Sequence, residues 1–219
     1  MLRKAAAIIA KDLRVEFRTR YALNALLMFA LVTLTAVSYT TSGVKMESEL
    51  LSALLWIVMF FSSLTGMGRS FMVEEDAHTA PLLRVFASGT VTFWGKFLTN
   101  LLLLAGLGAI TLPLYLFLMR AGAGNLGLHI MAVALGVIGL SGGATIVAAI
   151  VAQSSARGAL LTALAFPILL PLLALVIPVS AAAFAGQPAS EVSQYILGLI
   201  SYSGALITAS ALLFDFVWR

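Results

Sequence analysis

The chain has 219 residues, of which 61% are hydrophobic and 10% charged, with a mean hydropathy of +1.06 and no cysteine. A water-soluble domain carries roughly 25% charged residues, so the composition excludes a soluble globular protein; lacking thiols, it also excludes disulfides, thiolate metal sites and thiol catalysis. The formal charge of +4 comes from 13 Lys and Arg against 9 Asp and Glu, and in a membrane protein the placement of those charges reports orientation before it reports a partner, so nucleic acid is not implied.

The first twenty residues are the most polar long segment. Arg3 and Lys4 precede a short apolar stretch that ends at Lys11-Asp12, too short and too soon interrupted for a signal peptide. At 100° per residue Leu2, Ala6, Ile9, Leu13 and Phe17 share one side, and Arg3, Lys4, Lys11, Arg14 and Arg18 gather opposite. This pattern predicts a helix lying along the membrane surface, apolar face in the acyl boundary and basic face toward anionic headgroups. A helix packed on a soluble partner would show the same moment.

Long apolar runs then predict six spans, at Tyr21–Thr40, 50–68, 93–119, 128–152, 159–180 and 194–218. At about 20 residues each they consume most of the chain and leave no room for a soluble catalytic domain. An even number of spans places both termini on one side. Eleven basic residues lie on that side (Arg3, Lys4, Lys11, Arg14, Arg18, Arg20, Arg69, Arg84, Lys96, Arg157 and Arg219) and two, Lys45 and Arg120, on the other. Because cytoplasmic loops retain Lys and Arg, both ends are expected in the cytoplasm, with Tyr21, Trp94 and Trp218 at inner boundaries and Tyr39 and Tyr195 near outer ones.

Between the second and third spans runs the longest connection, 69–92, with Glu74, Glu75 and Asp76 flanked by Phe71 on one side and Leu82-Leu83 on the other. A short amphipathic helix here, offering Phe71, Leu82 or Leu83 as anchors and carboxylates as orienting charges, suits docking onto a soluble partner; an ordinary solvated loop with helix-start acids is the alternative.

The spans hold almost no ionisable groups. Lys96 and Asp215 sit near the inner boundary, where a lysine can snorkel and the aspartate can meet water or Arg219, so neither reads as a proton relay. Gly89 to Lys96 fails as a phosphate loop by one residue of spacing and by the missing hydroxyl after the lysine. Any nucleotide therefore binds a separate subunit. Gly139-Leu140-Ser141-Gly142-Gly143 satisfies the serine-hydrolase G-x-S-x-G pattern, which makes an intramembrane hydrolase using Ser141 one alternative. Its base would have to be His129, twelve residues and so about 18 Å up the helix axis, or His78 in the loop; small residues spaced for close helix packing explain the run without chemistry. A lone His129 is likewise thin evidence for a haem or metal ligand. Pro113 and Pro167, Pro171 and Pro178 mark the third and fifth spans as places for kinks, though prolines are common in membrane helices. A stand-alone channel or secondary carrier is a further class.

Six spans with both ends inside, a basic first helix, Arg69-Ser70-Phe71 followed by acids, Leu82-Leu83 and Gly95-Lys96 resemble the membrane subunits of ATP-binding cassette exporters of the second type. Lys11-Asp12-Leu13-Arg14-Val15-Glu16 with Arg18 and Arg20, then Tyr21-Ala22-Leu23-Asn24-Ala25 and Leu54-Leu55-Trp56, are more closely similar to the cytochrome c maturation protein B family of haem exporter permeases, over essentially the whole chain. The resemblance implies a bacterial inner-membrane complex with a cytoplasmic ATP-binding subunit, a haem-handling membrane subunit and a small single-span subunit. Such a complex serves haem attachment to c-type cytochromes, by exporting haem or by releasing the loaded haem chaperone. This chain would be its non-enzymatic permease, with ATP bound by the partner. Haem would be a substrate of the complex and not a cofactor of this chain, whose tryptophans Trp56, Trp94 and Trp218 are scattered. One six-span chain is half of the usual exporter pore, so two copies are expected. The expected organisation is an interfacial helix at 1–20 (Lys4, Lys11, Arg14, Arg18) and an all-α permease domain at 21–219. Within the latter the expected coupling contact comprises Phe71, Glu74, Glu75, Asp76, Thr79, Leu82 and Leu83.

Overall fold

A computed structural model describes residues 2–41, 46–67, 70–154 and 156–218; Lys45, Arg69 and Arg219, counted above for orientation, lie outside them. The described residues form helices and no strand. Helix α1 is Leu2–Thr19, followed by α2 (Tyr21–Thr40), α3 (Ser48–Met67), two short helices α4 (Met72–Asp76) and α5 (Ala80–Phe86), and α6 (Gly89–Leu118). The chain continues through α7 (Leu126–Ala152), α8 (Arg157–Phe184), a 3₁₀ turn at Ala189–Val192 and α9 (Ser193–Val217). Six of these helices, α2, α3, α6, α7, α8 and α9 (the last counted from Ala189), are long and apolar enough to cross a bilayer. The six spans read from the sequence thus each coincide with one helix, within a few residues at the ends.

The differences have local causes. The third span begins at Gly89 and not at residue 93, because Asp215 of α9 accepts hydrogen bonds from Thr90 N (3.2 Å) and Thr90 Oγ1 (3.2 Å) and completes the first turn. Asp215 is therefore a helix cap on α6, whatever it meets beyond the described residues. The connection 69–92 holds two helices where one was expected: His78 takes a left-handed φ of 52° and Pro81 stands in the first turn of α5, so the chain turns between them. Helix α8 runs from Arg157 to Phe184 through all three prolines. Neighbouring helices also donate to its carbonyls, Tyr202 Oη to Ile168 O at 2.6 Å and Ser52 Oγ to Ile177 O at 2.7 Å, which ties α8 to α9 and α3.

Helix α7 is the axis of the bundle, its middle turns buried against α8 and α9. Small residues there allow close approach. At Gly136 an added Cβ would lie 2.0 Å from the ring of Trp56, so glycine is what admits the largest fully buried side chain. Trp56 in turn donates from Nε1 to Ser180 Oγ at 2.7 Å, joining α3 to α8, and Asn100 of α6 donates to Thr145 of α7 at 2.9 Å. The end remote from the termini is tied by Asn125, which caps α7 through Leu128 N (3.1 Å) and bonds Gln187 O (3.0 Å).

Removing the Trp56 ring leaves a void and an unpaired Ser180 hydroxyl. Trp56→Ala should destabilise the detergent-solubilised protein by about 3 kcal/mol or more, read as a lowered Tm, whereas Leu212→Ala on the exposed side of α9 should leave the Tm nearly unchanged.

Candidate functional site

The end that carries the termini also carries α1, α4 and α5, and charge decides how they meet. Lys96 lies on the second turn of α6 and is 3% exposed, where an ammonium without partners would be strongly unfavourable. Its Nζ reaches Asp12 Oδ2 of α1 at 3.0 Å, Glu74 Oε1 of α4 at 3.0 Å and Ser70 O at 2.9 Å. Lys11 of α1 bonds Glu74 as well and pairs with Asp12 at 3.1 Å. Thr79 Oγ1 donates to the second Glu74 oxygen at 2.8 Å. Two lysines and two carboxylates thus join three helices. Alongside them Ile8, 2% exposed, packs onto Gly95, where an added Cβ would lie 2.8 Å from its Cγ2.

Burial alone would push the Glu74 carboxyl up, but Lys96, Lys11 and the Thr79 hydroxyl override it and hold its pKa at about 2. For Lys11, burial pulls down and Asp12 with Glu74 pull up more strongly, so its pKa is raised. The Glu74 contribution to stability is present above the ordinary carboxylate value of 4.5 and is lost as pH falls toward about 2.

The seven residues expected at a coupling contact separate into two groups. Phe71 is 0% exposed; expected as a presented anchor, it stacks inward against Phe214 (5.6 Å) and Trp218 (5.0 Å). Glu74, expected as an orienting surface charge, is buried by the ion cluster, and Leu83 is buried too. Thr79 is half-buried, held by its bond to Glu74. Outward stand Leu82, 71% exposed, and Asp76, whose carboxylate meets Arg157 of α8 at 2.7 Å. Glu75, half-buried, pairs with Arg84 at 3.0 Å.

Three outward residues went unread: Val85 (88% exposed), Phe86 and Val73. For Val85 and Phe86 the signal was the composition of α5 itself, since a seven-residue helix carrying Leu82, Leu83, Val85 and Phe86 must leave part of that surface uncovered; Val73 lies on α4. Leu82, Val85 and Phe86, at i, i+3 and i+4 on α5, form an apolar patch on the terminal end. Lys96 was read as snorkelling to the surface; the structure buries it, because partners on α1 and α4 arrive from segments far away in sequence.

Helix α1 divides similarly. Lys4 donates to Phe86 O at 2.7 Å and lies over the Phe86 ring, so Lys4 and Lys11 fasten α1 to α5 and α4 and do not share the free basic face expected of them. Arg14 and Arg18 are exposed, as are Leu2 and Phe17 on the apolar stripe. Between α1 and the α4–α5 pair opens a groove of about 800 Å³, walled by Ile8 and Val15 on one side and Val73, Leu82 and Phe86 on the other, with Lys11 and Glu74 between them.

Ser141 is fully buried and its hydroxyl has no hydrogen-bond partner among the described residues. His129, also buried, packs edge-on against Phe184 at 4.4 Å and offers Ser141 no base. No group of three or more metal-ligating side chains occurs among the described residues.

Because Lys11 and Lys96 converge on Glu74, Glu74→Lys should place three ammonium groups together and detach α1, at roughly 3 kcal/mol or more, and Glu74→Gln should do so more mildly. Hydrogen exchange of residues 2–19 in the purified protein is the measure. Wild-type protection should hold from neutral pH to about 4.5 and fall progressively toward pH 2.

The chain matches the family described as CcmB, CcmB protein, over residues 3–215. That stretch takes in the ion cluster, both short helices and nearly all of the six long ones. None of the curated proteins matches it. The family supplies the setting of the bundle, that of a permease-type membrane component of a haem-export ATP-binding cassette system. The chain belongs to the CcmB family, cytochrome c maturation protein B, whose members are membrane components of that system and not themselves catalytic enzymes.

Proposed function

We propose that this chain is the permease subunit on which a cytoplasmic ATP-binding subunit docks at α5, and that it turns ATP-driven closure of that subunit into rearrangement of its spans. The observation that carries the reading is the pairing of exposed apolar residues on α5 (Leu82, Val85, Phe86) with a buried ionic junction that lines the same groove as Leu82 and Phe86. A partner pushing on α5 meets α4 and α1, and both are fixed to α6 through Lys96. Helix α6 then runs 30 residues, from Gly89 to Leu118, to the opposite end of the bundle. Asp76, Glu75 and Thr79 border the patch and orient the partner; Phe71, Glu74 and Leu83 support it from within. This refines the coupling contact by assigning its seven residues to a contact surface and a support.

In this reading both termini face the cytoplasm of a bacterium, as the distribution of basic residues implies, and α1 lies along the inner surface with Leu2, Phe17, Arg14 and Arg18 toward lipid. The complex contains two copies of this chain beside an ATPase pair, a haem-handling subunit and a small single-span subunit, and its work is haem export or release of the loaded haem chaperone. ATP is bound by the partner subunit, and haem is cargo.

Leu82→Asp with Val85→Asp should lower recovery of the ATP-binding subunit with the affinity-tagged permease at least about tenfold, since buried apolar anchors dominate docking, while extraction and Tm of the permease stay at wild-type values. Undiminished recovery would remove α5 from the contact. Intersubunit cross-linking of the native complex should find two permease chains per ATPase pair; a single chain contradicts the stoichiometry.

A further inference from the structure

A second cleft, distinct from the groove at the ion cluster, lies on the opposite flank of α1. It holds about 360 Å³ between the end of α1, α2 and α6. Its floor is Leu26, Leu103 and Leu107, all buried, and its rim is Phe17, Leu102 and Ile110, all exposed. No polar side chain lines it. From Leu102 to Ile110 the slot follows α6 for about 12 Å along the helix axis, running into the apolar part of that span.

Such a slot is unsuited to water, which needs polar partners, and suited to a hydrocarbon chain. The charge at its mouth specifies what that chain is attached to. Phe17 and Leu13 form the cleft's upper edge, and Arg14, three residues before Phe17, and Arg18, one turn beyond Arg14, occupy the helix face that borders that edge. Among the described residues no ion pair or hydrogen bond engages the side chain of Arg14 or Arg18, and both residues are exposed. Lys4 and Lys11, in contrast, are committed to Phe86 and Glu74. The cation-bearing surface left over is the one next to the apolar slot.

We infer that this cleft is a binding site for one anionic phospholipid, with an acyl chain between α2 and α6 and its phosphate on Arg14 and Arg18. The inference rests on the reading of α1 as a surface-lying helix, and goes beyond it in naming a discrete, saturable site in place of a general affinity for lipid. The bound lipid would brace α1 from the side opposite the ion cluster.

Gly106 provides the test. It lines the cleft, and a Cβ built there meets nothing within 4 Å, so a side chain can start at position 106 without a clash; Gly106→Leu extends it into the slot, and Gly106→Ala leaves most of the slot open. The full-length protein, delipidated and re-equilibrated with phosphatidylglycerol or phosphatidylcholine, is examined by native mass spectrometry. The wild type and Gly106→Ala should each retain one phosphatidylglycerol in preference to phosphatidylcholine. Gly106→Leu should lose at least about tenfold of that retention at an unchanged Tm. Arg14→Gln with Arg18→Gln should bind the two lipids alike, the preference falling by roughly tenfold or more, since each basic residue near an anionic headgroup is worth severalfold.

Equal retention by Gly106→Leu and wild type overturns the site, as does equal binding of the two lipids by wild type. A shift of Gly106→Leu between monomer and dimer without lipid loss assigns the cleft to a second copy of this chain and overturns it too. The surface placement of α1 is read separately, on Leu2→Cys in a chain without native cysteine. Protection from a water-soluble maleimide in vesicles, together with an indifferent Gly106→Leu, refutes the lipid site alone; full labelling refutes the placement of α1 and the site with it.

Discussion

A lysine buried near the end of a membrane helix governs the arrangement of this protein. Lys96 is 3% exposed, and an ammonium in that position must be matched by carboxylates and carbonyls or become neutral. The matching groups come from elsewhere in the chain: Asp12 on the helix before the first span and Glu74 on the short helix after the second. Satisfying one charge therefore fixes the positions of two segments, which Ile8 and Phe71 also anchor by burial. Lys11 adds a second ammonium to Glu74, so that the four charges balance and no single one can leave without exposing another.

This arrangement separates two kinds of cohesion. Among the long helices, association depends on shape: glycine opposite tryptophan, small residues along α7, and single hydrogen bonds such as Trp56 to Ser180. Apolar area confers little there, because lipid is as apolar as the helices themselves. At the terminal end, the joints are ionic and aromatic, with Phe71, Phe214 and Trp218 in mutual ring contact and the Arg84 guanidinium over the Trp218 ring. Shape-held helices can slide or tilt against each other with small changes in contact, whereas an ionic junction transmits displacement until it breaks. The proposed role, receiving force at one end and changing shape in the middle, is served by that division, and the family to which the chain belongs implies a complex with an ATP-binding subunit.

The surface of α1 illustrates how one short helix supports three different environments. One face carries Ile8, Lys11 and Asp12 toward α6 and α4; a second carries Leu2, Leu13 and Phe17; a third carries Arg14 and Arg18. A two-sided description of the helix, apolar against basic, merges the first face with the third, because a helical wheel cannot distinguish a lysine that reaches a buried carboxylate from one that reaches a headgroup.

By itself the sequence determined the number of spans, their approximate limits and the family resemblance, because a bilayer demands runs of about 20 apolar residues and such runs are local. It also located the connection 69–92 as the segment of interest, and indicated that Ser141 has no base within reach. What only the tertiary structure decided was which side of that connection faces inward: Phe71 and Glu74 turned in, Leu82, Val85 and Phe86 turned out. The direction of a five- or seven-residue helix is not written in its periodicity, which is too short to define a face. It is set by partners 22 and 63 positions away, Lys96 and Lys11, whose charges find Glu74 only after the spans have brought them together.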